Sequence, residues 1–198
     1  MTIISNILYW IATGLLVPVI VLLIYLFLRS LILIGAFFGQ FMTERKTAAM
    51  LDEGIKNRSA DEIIAFIGAL PENSVSPVTD CLKQILGCRD NDAKLELLVS
   101  DYELKADKSL ATSKILTKMG PILGLMGTLI PMGPALVGLA TGNIASMAYN
   151  MQVAFATTVV GLVVSAIGFI TQQARERWAL HSLVILDYAV QTLRTDKQ

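Results

Sequence analysis

The charged residues of this chain are confined to two blocks, and this constrains its fold more than any other feature of the sequence. All sixteen Lys and Arg and all sixteen Asp and Glu lie within residues 29–118 and 175–198. Residues 1–28 and 119–174 carry no charged side chain. Because a helix needs about 20 largely apolar residues to cross roughly 30 Å of hydrocarbon, the uncharged regions predict three membrane-spanning helices.

The predicted fold is all-α: a membrane protein of three transmembrane helices with long cytoplasmic helical extensions. The chain is 54% hydrophobic and only 16% charged, well below the roughly 25% of ordinary soluble domains. No proline or glycine lies between Asp92 and Gly120, which predicts one helix from the cytoplasm into the second span. The predicted segments are a first transmembrane helix that continues inward (1–38), a cytoplasmic helical region (39–118), the second transmembrane helix (119–140), an outer turn (141–150), the third transmembrane helix (151–174) and a cytoplasmic helical tail (175–198).

The basic residues predict how the chain is oriented, since Lys and Arg concentrate on the cytoplasmic side of a membrane. The block at 29–118 holds twelve of them and the tail at 175–198 holds four. Both segments are therefore expected inside the cell. The N-terminus and the turn at 141–150 then lie outside, and the C-terminus is cytoplasmic.

The cytoplasmic region shows helix and turn signals but no catalytic or metal-binding pattern. Ser59 and Glu62 form a capping-box pattern, and PENSVSP at 71–77 predicts a turn. Cys81 and Cys88 have no second cysteine pair or nearby histidine that would complete a zinc site, and the single histidine has no metal-spaced partner. We therefore expect no catalytic residue, no metal, no cofactor and no nucleic-acid partner, and the protein is not predicted to be an enzyme.

The second and third predicted spans carry small residues at helical intervals of three and four. The segment GPILGLMGTLIPMGPAL at 120–136 has four glycines and three prolines, although in water an interior proline costs a helix about 3 kcal/mol and a glycine about 1. Helices in lipid associate by close packing, which small residues permit, so the intervals predict close approach to each other or to a third helix. The predicted packing residues are Gly120, Gly124, Gly138, Gly161, Ser165 and Gly168.

Two prolines of the second span release carbonyl groups inside the membrane. Pro131 lacks an N–H, so the carbonyl of Gly127 loses its helical partner, and Pro134 has the same effect further along. Such a carbonyl needs a donor, water or an ion. Thr128 follows Gly127 and Thr158 lies among the small residues of the third span, so hydroxyls and carbonyls are candidates for a polar lining. In the alternative interpretation each hydroxyl bonds back to its own helix.

The uncharged regions 1–28 and 119–174, which supply the three predicted spans, contain no Asp, Glu, Lys, Arg or His. A proton relay within a membrane requires an ionisable group, so this chain cannot carry protons through a titrating site by itself. If it conducts ions, another chain must supply the carboxylate.

Segments of the second and third spans resemble the MotA/TolQ/ExbB proton-channel family, and the three-span arrangement resembles its TolQ/ExbB branch. GPILGLMGT, starting at Gly120, and AFATTVVGL, starting at Ala154, are similar to the family's second-span and third-span patterns. The resemblance implies a homo-pentamer around two copies of a single-span ExbD/TolR/MotB-type protein whose membrane Asp takes the ion. Thr128 and Thr158 match the family's two pore threonines.

Two departures from the family pattern bear on the ion. The run LIPMGP after Thr128 adds prolines to the usual small and apolar residues, and the doubled Thr157 and Thr158 resembles sodium-driven flagellar stators. An extra hydroxyl and a freed carbonyl are ligands of the kind that a hard cation such as sodium takes. We predict protons as the ion, with sodium as the alternative. The predicted ion-pathway residues are Thr128, Thr158, Thr157, Pro131 and Gly127.

The function that the sequence favours is the ring (stator/channel) subunit of an ion-driven motor in the cell inner (cytoplasmic) membrane. It would conduct protons or sodium ions together with the partner and couple their flow to rotation or force. Two alternatives stay open. One is a transporter or permease subunit in which the Gly/Pro-rich helix forms a substrate cavity, and the other is a non-conducting membrane scaffold.

Overall fold

The computed structural model describes residues 2–55, 60–69, 76–88 and 91–195. Within these ranges the chain is helical and contains no strand, which confirms the all-α prediction. Ser59 of the predicted capping box and most of the predicted turn at 71–77 lie outside the described residues. The helices are α1 (Thr2–Ile55), α2 (Ala60–Ala69), α3 (Pro77–Gly87), α4 (Asp92–Ala140) and α5 (Ile144–Thr195).

Helices α1, α4 and α5 are long enough and apolar enough to cross a membrane. They contain 54, 49 and 52 residues, and at 1.5 Å per residue each is about 70–80 Å long. That is more than twice the roughly 30 Å of a hydrocarbon core. α1 continues without a break past Arg29, and α4 begins at Asp92 as predicted. The prediction of three spanning helices with long helical extensions is therefore confirmed.

The chain divides into two compact units, of which unit 1 comprises Met1–Gly35 and Thr112–Gln172. Its described part contains the apolar portions of α1, α4 and α5. Apolar side chains of the three helices interdigitate in one core. The buried members of that core are Val19, Leu23, Leu26, Leu33, Leu116, Leu123 and Val164.

A tight turn joins α4 to α5 and sets up their antiparallel packing. Gly142 has a φ of +71°, a left-handed conformation that glycine adopts without steric cost. The N–H of Asn143 donates to the carbonyl of Gly138 at 2.8 Å, which closes α4 with a Schellman-type bond. The side chain of Asn143 then accepts from the N–H of Ser146 at 3.0 Å and caps α5. Because of this cap, residues 144–150 of the predicted outer turn are helical.

Unit 2 comprises Ala36–Ala111 and Gln173–Gln198. In this unit the short helices α2 and α3 pack against the parts of α1, α4 and α5 that belong to unit 2. The five helices together bury a separate apolar core. α3 begins with a proline in its first turn, where the missing N–H is not needed. The large buried side chains of this core include Leu51, Ile55, Ile63, Ile67, Leu82, Ile85, Leu95, Leu186 and Leu193.

Candidate ion-pathway site

The glycine- and proline-rich segment of the second span is helical throughout. Pro121, Pro131 and Pro134 all lie inside α4. A spanning segment must satisfy its own backbone hydrogen bonds, so the membrane favours a helix where water would not. Each proline still leaves the carbonyl four residues earlier without its usual N–H partner. By position, these carbonyls belong to Thr117, Gly127 and Ile130.

A hydrogen bond between helices satisfies the first of these carbonyls. Ser165 Oγ on α5 donates to the carbonyl oxygen of Thr117 on α4 at 3.0 Å. Leaving a buried acceptor unsatisfied costs about 1–3 kcal/mol, so this bond offsets the effect of Pro121. Sequence reasoning named Ser165 for its small size and missed Pro121 and Thr117. The signal was present, because the proline position alone identifies the carbonyl that needs a donor.

The carbonyls of Gly127 and Ile130 receive no side-chain hydrogen bond from any residue that the structure describes. Gly127 is buried, and a Cβ built on it would lie 2.6 Å from both Cβ and Oγ1 of Thr157. Two predicted ion-pathway residues are thus brought into direct contact. Pro131, which frees the Gly127 carbonyl, is also buried.

Three of the glycines named from the sequence lie where α4 and α5 touch backbone to backbone. A Cβ on Gly120 would come within 2.7 Å of the carbonyl oxygen of Gly161, and one on Gly161 within 2.6 Å of the carbonyl oxygen of Gly120. A Cβ on Gly124 would lie 3.4 Å from the Cα of Gly161. No larger residue fits between the helices at the Gly120–Gly161 contact without moving them apart.

The other two glycines named from the sequence occupy opposite ends of the α4–α5 hairpin. A Cβ on Gly168 would lie 2.6 Å from the backbone nitrogen of Thr117. A Cβ on Gly138 would meet the first turn of α5, 3.0 Å from the backbone nitrogen of Met147. Close contact between the two helices therefore extends along most of the uncharged part of the hairpin.

The three threonines named from the sequence differ in their surroundings. Thr157 is only 7% exposed and its hydroxyl donates within α5, 2.9 Å from the carbonyl oxygen of Ala154. Thr128 and Thr158 are half-buried. Thr128 Oγ1 donates to the carbonyl of Leu125 at 2.7 Å, and Thr158 Oγ1 to that of Ala154 at 3.1 Å. These are the back-bonds of the alternative interpretation, yet each hydroxyl oxygen keeps acceptor capacity.

A second group of hydroxyls in unit 1 was not found from the sequence. Thr171 Oγ1 on α5 lies 3.2 Å from Ser113 Oγ on α4, and both residues are buried. On α1, Arg29 donates to Tyr25 Oη at 2.8 Å, and it also donates to Thr112 Oγ1 on α4 at 3.3 Å. No spacing rule predicts the two contacts between helices, because they join residues 58 and 83 positions apart.

The fold and this site define a multi-pass membrane protein in which two closely packed helices hold threonine hydroxyls and proline-freed carbonyls, with no Asp, Glu, Lys, Arg or His between residues 119 and 174. Residues 87–181 match the sequence profile of the MotA/TolQ/ExbB proton channel family. This segment of the chain is similar to that family, and the three apolar helices are consistent with its three-span branch. No match was found among curated proteins.

The family match implies the broad role of the chain, which is that of a membrane protein of the proton-channel or motor-stator type. Members of the family generally act with ExbD/TolR/MotB-like partners. Together with the three apolar helices, this makes the chain a multi-pass inner-membrane protein.

Proposed function

We propose that this chain is the ring subunit of an ion-driven inner-membrane motor that conducts protons together with a single-span partner. Five copies surround two copies of an ExbD/TolR/MotB-type protein, whose membrane Asp takes the ion. Ion flow drives rotation or force on that partner. The N-terminus lies outside and the C-terminus in the cytoplasm, an orientation supported by the distribution of Lys and Arg.

The proposal rests on one observation: the membrane segments of α4 and α5 offer hydrogen-bonding groups but no acidic or basic side chain. α4 and α5 offer the half-buried hydroxyls of Thr128 and Thr158 and the carbonyls freed at Gly127 and Ile130. Residues 119–174 contain no Asp, Glu, Lys, Arg or His. Polar groups in a membrane need partners, and a proton path needs a carboxylate or its equivalent. A partner that brings one carboxyl group into the ring meets both needs.

The threonine hydroxyls suit a carboxyl group that changes its protonation state. A protonated carboxyl donates a hydrogen bond and requires an acceptor, which a hydroxyl lone pair supplies. An ionised carboxylate requires donors instead. The hydroxyl protons of Thr128 and Thr158 point to carbonyls of their own helices, and rotation about the C–O bond redirects each proton to the carboxylate. Each threonine thus serves both states of the partner.

Protons are the ion that the geometry supports better. A sodium site would need several oxygen ligands. In the sequence, the doubled threonine offers one additional hydroxyl ligand. Thr157, however, is buried against Gly127, and its hydroxyl proton is shared between the carbonyls of Val153 and Ala154 at 3.1 and 2.9 Å. That position supports a packing role for Thr157, with Thr128 and Thr158 as the hydroxyls on the path.

The test compares two variants of Thr158 in the complete complex, purified with its partner and placed in liposomes. Thr158→Val removes the hydroxyl at nearly constant volume, and Thr158→Ser keeps it. We expect Thr158→Val to reduce proton uptake under an imposed pH gradient by about tenfold or more, which corresponds to about 1.4 kcal/mol. Thr158→Ser should retain most of the uptake.

Thr13→Val is the matched control, since Thr13 on α1 makes the same back-bond, to the carbonyl of Tyr9 at 2.9 Å. It should leave uptake unchanged. Native-level uptake by an assembled Thr158→Val complex would remove Thr158 from the path. Uptake of a solute with no response to proton or sodium gradients would favour the permease alternative, and assembly without any flux would favour the scaffold.

A further inference from the structure

Unit 2 contains a cavity of about 540 Å³ between α1, α4 and α5. This volume falls within the range of about 300–1,000 Å³ that is typical of small-molecule sites. Trp178, three alanines and Gly39 provide apolar wall. Three charged side chains line the same cavity from different helices: Glu44 on α1, Lys105 on α4 and Arg175 on α5.

The guanidinium of Arg175 has only neutral partners. Its Nη1 donates to the carbonyl of Ser109 at 3.3 Å, and its Nη2 donates to Oε1 of Gln40 at 2.7 Å. Its Nε is buried and has no hydrogen-bond partner among the described residues. No carboxylate in the described part of the chain lies within ion-pair distance of this half-buried cation. A desolvated charge without a counter-ion is costly, so this position calls for an anion from outside the chain.

Glu44 presents the opposite charge in the same cavity. Its carboxyl is half-buried and makes no hydrogen bond or ion pair with any residue in the described ranges. The nearby cations are engaged elsewhere: Arg45 lies over the ring of Phe41 at 5.5 Å, and Lys105 on the cavity wall pairs with Asp101 at 2.6 Å. The cavity therefore holds one unpaired cation and one unpaired carboxylate, a pattern complementary to a ligand with an anion and a cationic donor.

On α5 the cavity begins where the uncharged segment ends. Arg175 is the first charged residue after the run at 119–174, and Trp178 follows it by less than one turn. Trp and Arg at such positions are typical of the level at which lipid headgroups lie. Trp178 is held there by stacking on Phe37, with ring centroids 5.5 Å apart.

We propose that this cavity binds the zwitterionic headgroup of phosphatidylethanolamine, with the phosphate on Arg175 and the ammonium on Glu44. Soluble phosphoethanolamine carries the same two charges without acyl chains. The position of Arg175 directly after the uncharged segment of α5 favours the lipid as the source. Phosphatidylcholine has the same charges but no N–H donor, and phosphatidylglycerol has the phosphate but no cation.

Native mass spectrometry of the intact, delipidated complex tests the proposal by counting the lipids retained after each is added at equal concentration. We expect phosphatidylethanolamine to be retained about tenfold better than phosphatidylcholine or soluble phosphoethanolamine, a ratio typical of one charge-assisted hydrogen bond. Arg175→Gln should abolish the preference. Glu44→Gln should reduce retention of phosphatidylethanolamine to that of phosphatidylglycerol. Arg177→Gln and Glu176→Gln are exposed neighbours outside the cavity and serve as matched controls.

Gln40→Glu keeps the proposal testable if Arg175→Gln does not fold. This near-isosteric change places a carboxylate 2.7 Å from Nη2 of Arg175, so the cation gains an internal partner and the lipid phosphate loses its site. Retention should fall by about tenfold while the complex stays assembled. Equal retention of the lipids by the native complex would overturn the proposal, as would an Arg177→Gln variant that behaves like Arg175→Gln. Tight binding of soluble phosphoethanolamine would overturn the lipid as the source.

Discussion

Replacing Gly161 by alanine tests the backbone contact between α4 and α5 more sharply than any other single change. The new Cβ would lie 2.6 Å from the carbonyl oxygen of Gly120 and 2.9 Å from the Cα of Gly124. Both atoms belong to the backbone, so no side chain can rotate away to relieve the overlap. To reach the 3.0–3.4 Å of the tightest ordinary contacts, the helices must separate by about 0.4–0.8 Å, by subtraction from the 2.6 Å.

A gap of that size forfeits about a quarter to a half of the dispersion energy along the contact, and overpacking of this kind costs about 1–3 kcal/mol. Removing a glycine from a helix returns about 1 kcal/mol. Because the clash is between backbones, we take the upper part of the range and expect Gly161→Ala to lower the free energy of unfolding by about 2 kcal/mol.

The matched control is Gly35→Ala on α1, where an added Cβ would meet no atom within 4 Å. This change should leave stability unchanged or raise it by up to about 1 kcal/mol. The measurement is reversible unfolding of the purified chain in mixed micelles, followed by far-UV circular dichroism. If the Gly161→Ala variant is as stable as the Gly35→Ala variant, α4 and α5 do not make the close backbone contact described at Gly161.

Two further changes have expected outcomes. Ser165→Ala should destabilise the chain by about 1–2 kcal/mol, because it leaves the Thr117 carbonyl without a donor. The loss should be much smaller in a Pro121→Ala background, where the missing N–H is restored. Equal losses in both backgrounds in the same unfolding assay would contradict this. Burial raises the pKa of the Cys81 thiol to about 11, so at pH 8 only about one molecule in a thousand is thiolate. Single-cysteine variants should therefore show maleimide modification of Cys81 that is slow at pH 8 and accelerates as the pH rises towards 11, and rapid modification at pH 8 would contradict its burial.

The helical architecture could be predicted because strong signals in the sequence act along the chain itself. The charge-free runs fixed the number of spans, and the absence of proline and glycine between Asp92 and Gly120 indicated a single long α4. The start of α5 was harder to place. The segment TGNIASMAYN has turn-like composition, but the Asn143 side chain caps the first turn and lets the helix begin at Ile144.

The orientation of side chains around each helix could not be predicted to the same degree. Thr157 and Thr158 are adjacent in sequence, yet their side chains point about 100° apart around a helix with 3.6 residues per turn. The spacing identified the small residues but not how α5 is rotated about its axis relative to α4. It therefore did not show which threonine is buried against Gly127. The ion-pathway roles of Thr128, Thr157 and Thr158 stay predictions.

Contacts between distant positions were beyond the reach of sequence reasoning. The hydrogen bond between Arg175 and Gln40 joins residues 135 positions apart. Neither residue belongs to a motif, and only the packing of α1 against α5 in unit 2 brings them together. The charge arrangement of the unit 2 cavity follows from that packing.

The most direct test of the central claim is the mass of the complex released from its own membranes in mild detergent, measured by native mass spectrometry. The proposed motor predicts five copies of this chain with two copies of a small single-span protein that carries an Asp in its membrane segment. A stable assembly of this chain alone, with no carboxylate-bearing companion, would contradict it, because residues 119–174 contain no Asp, Glu, Lys, Arg or His to carry a proton.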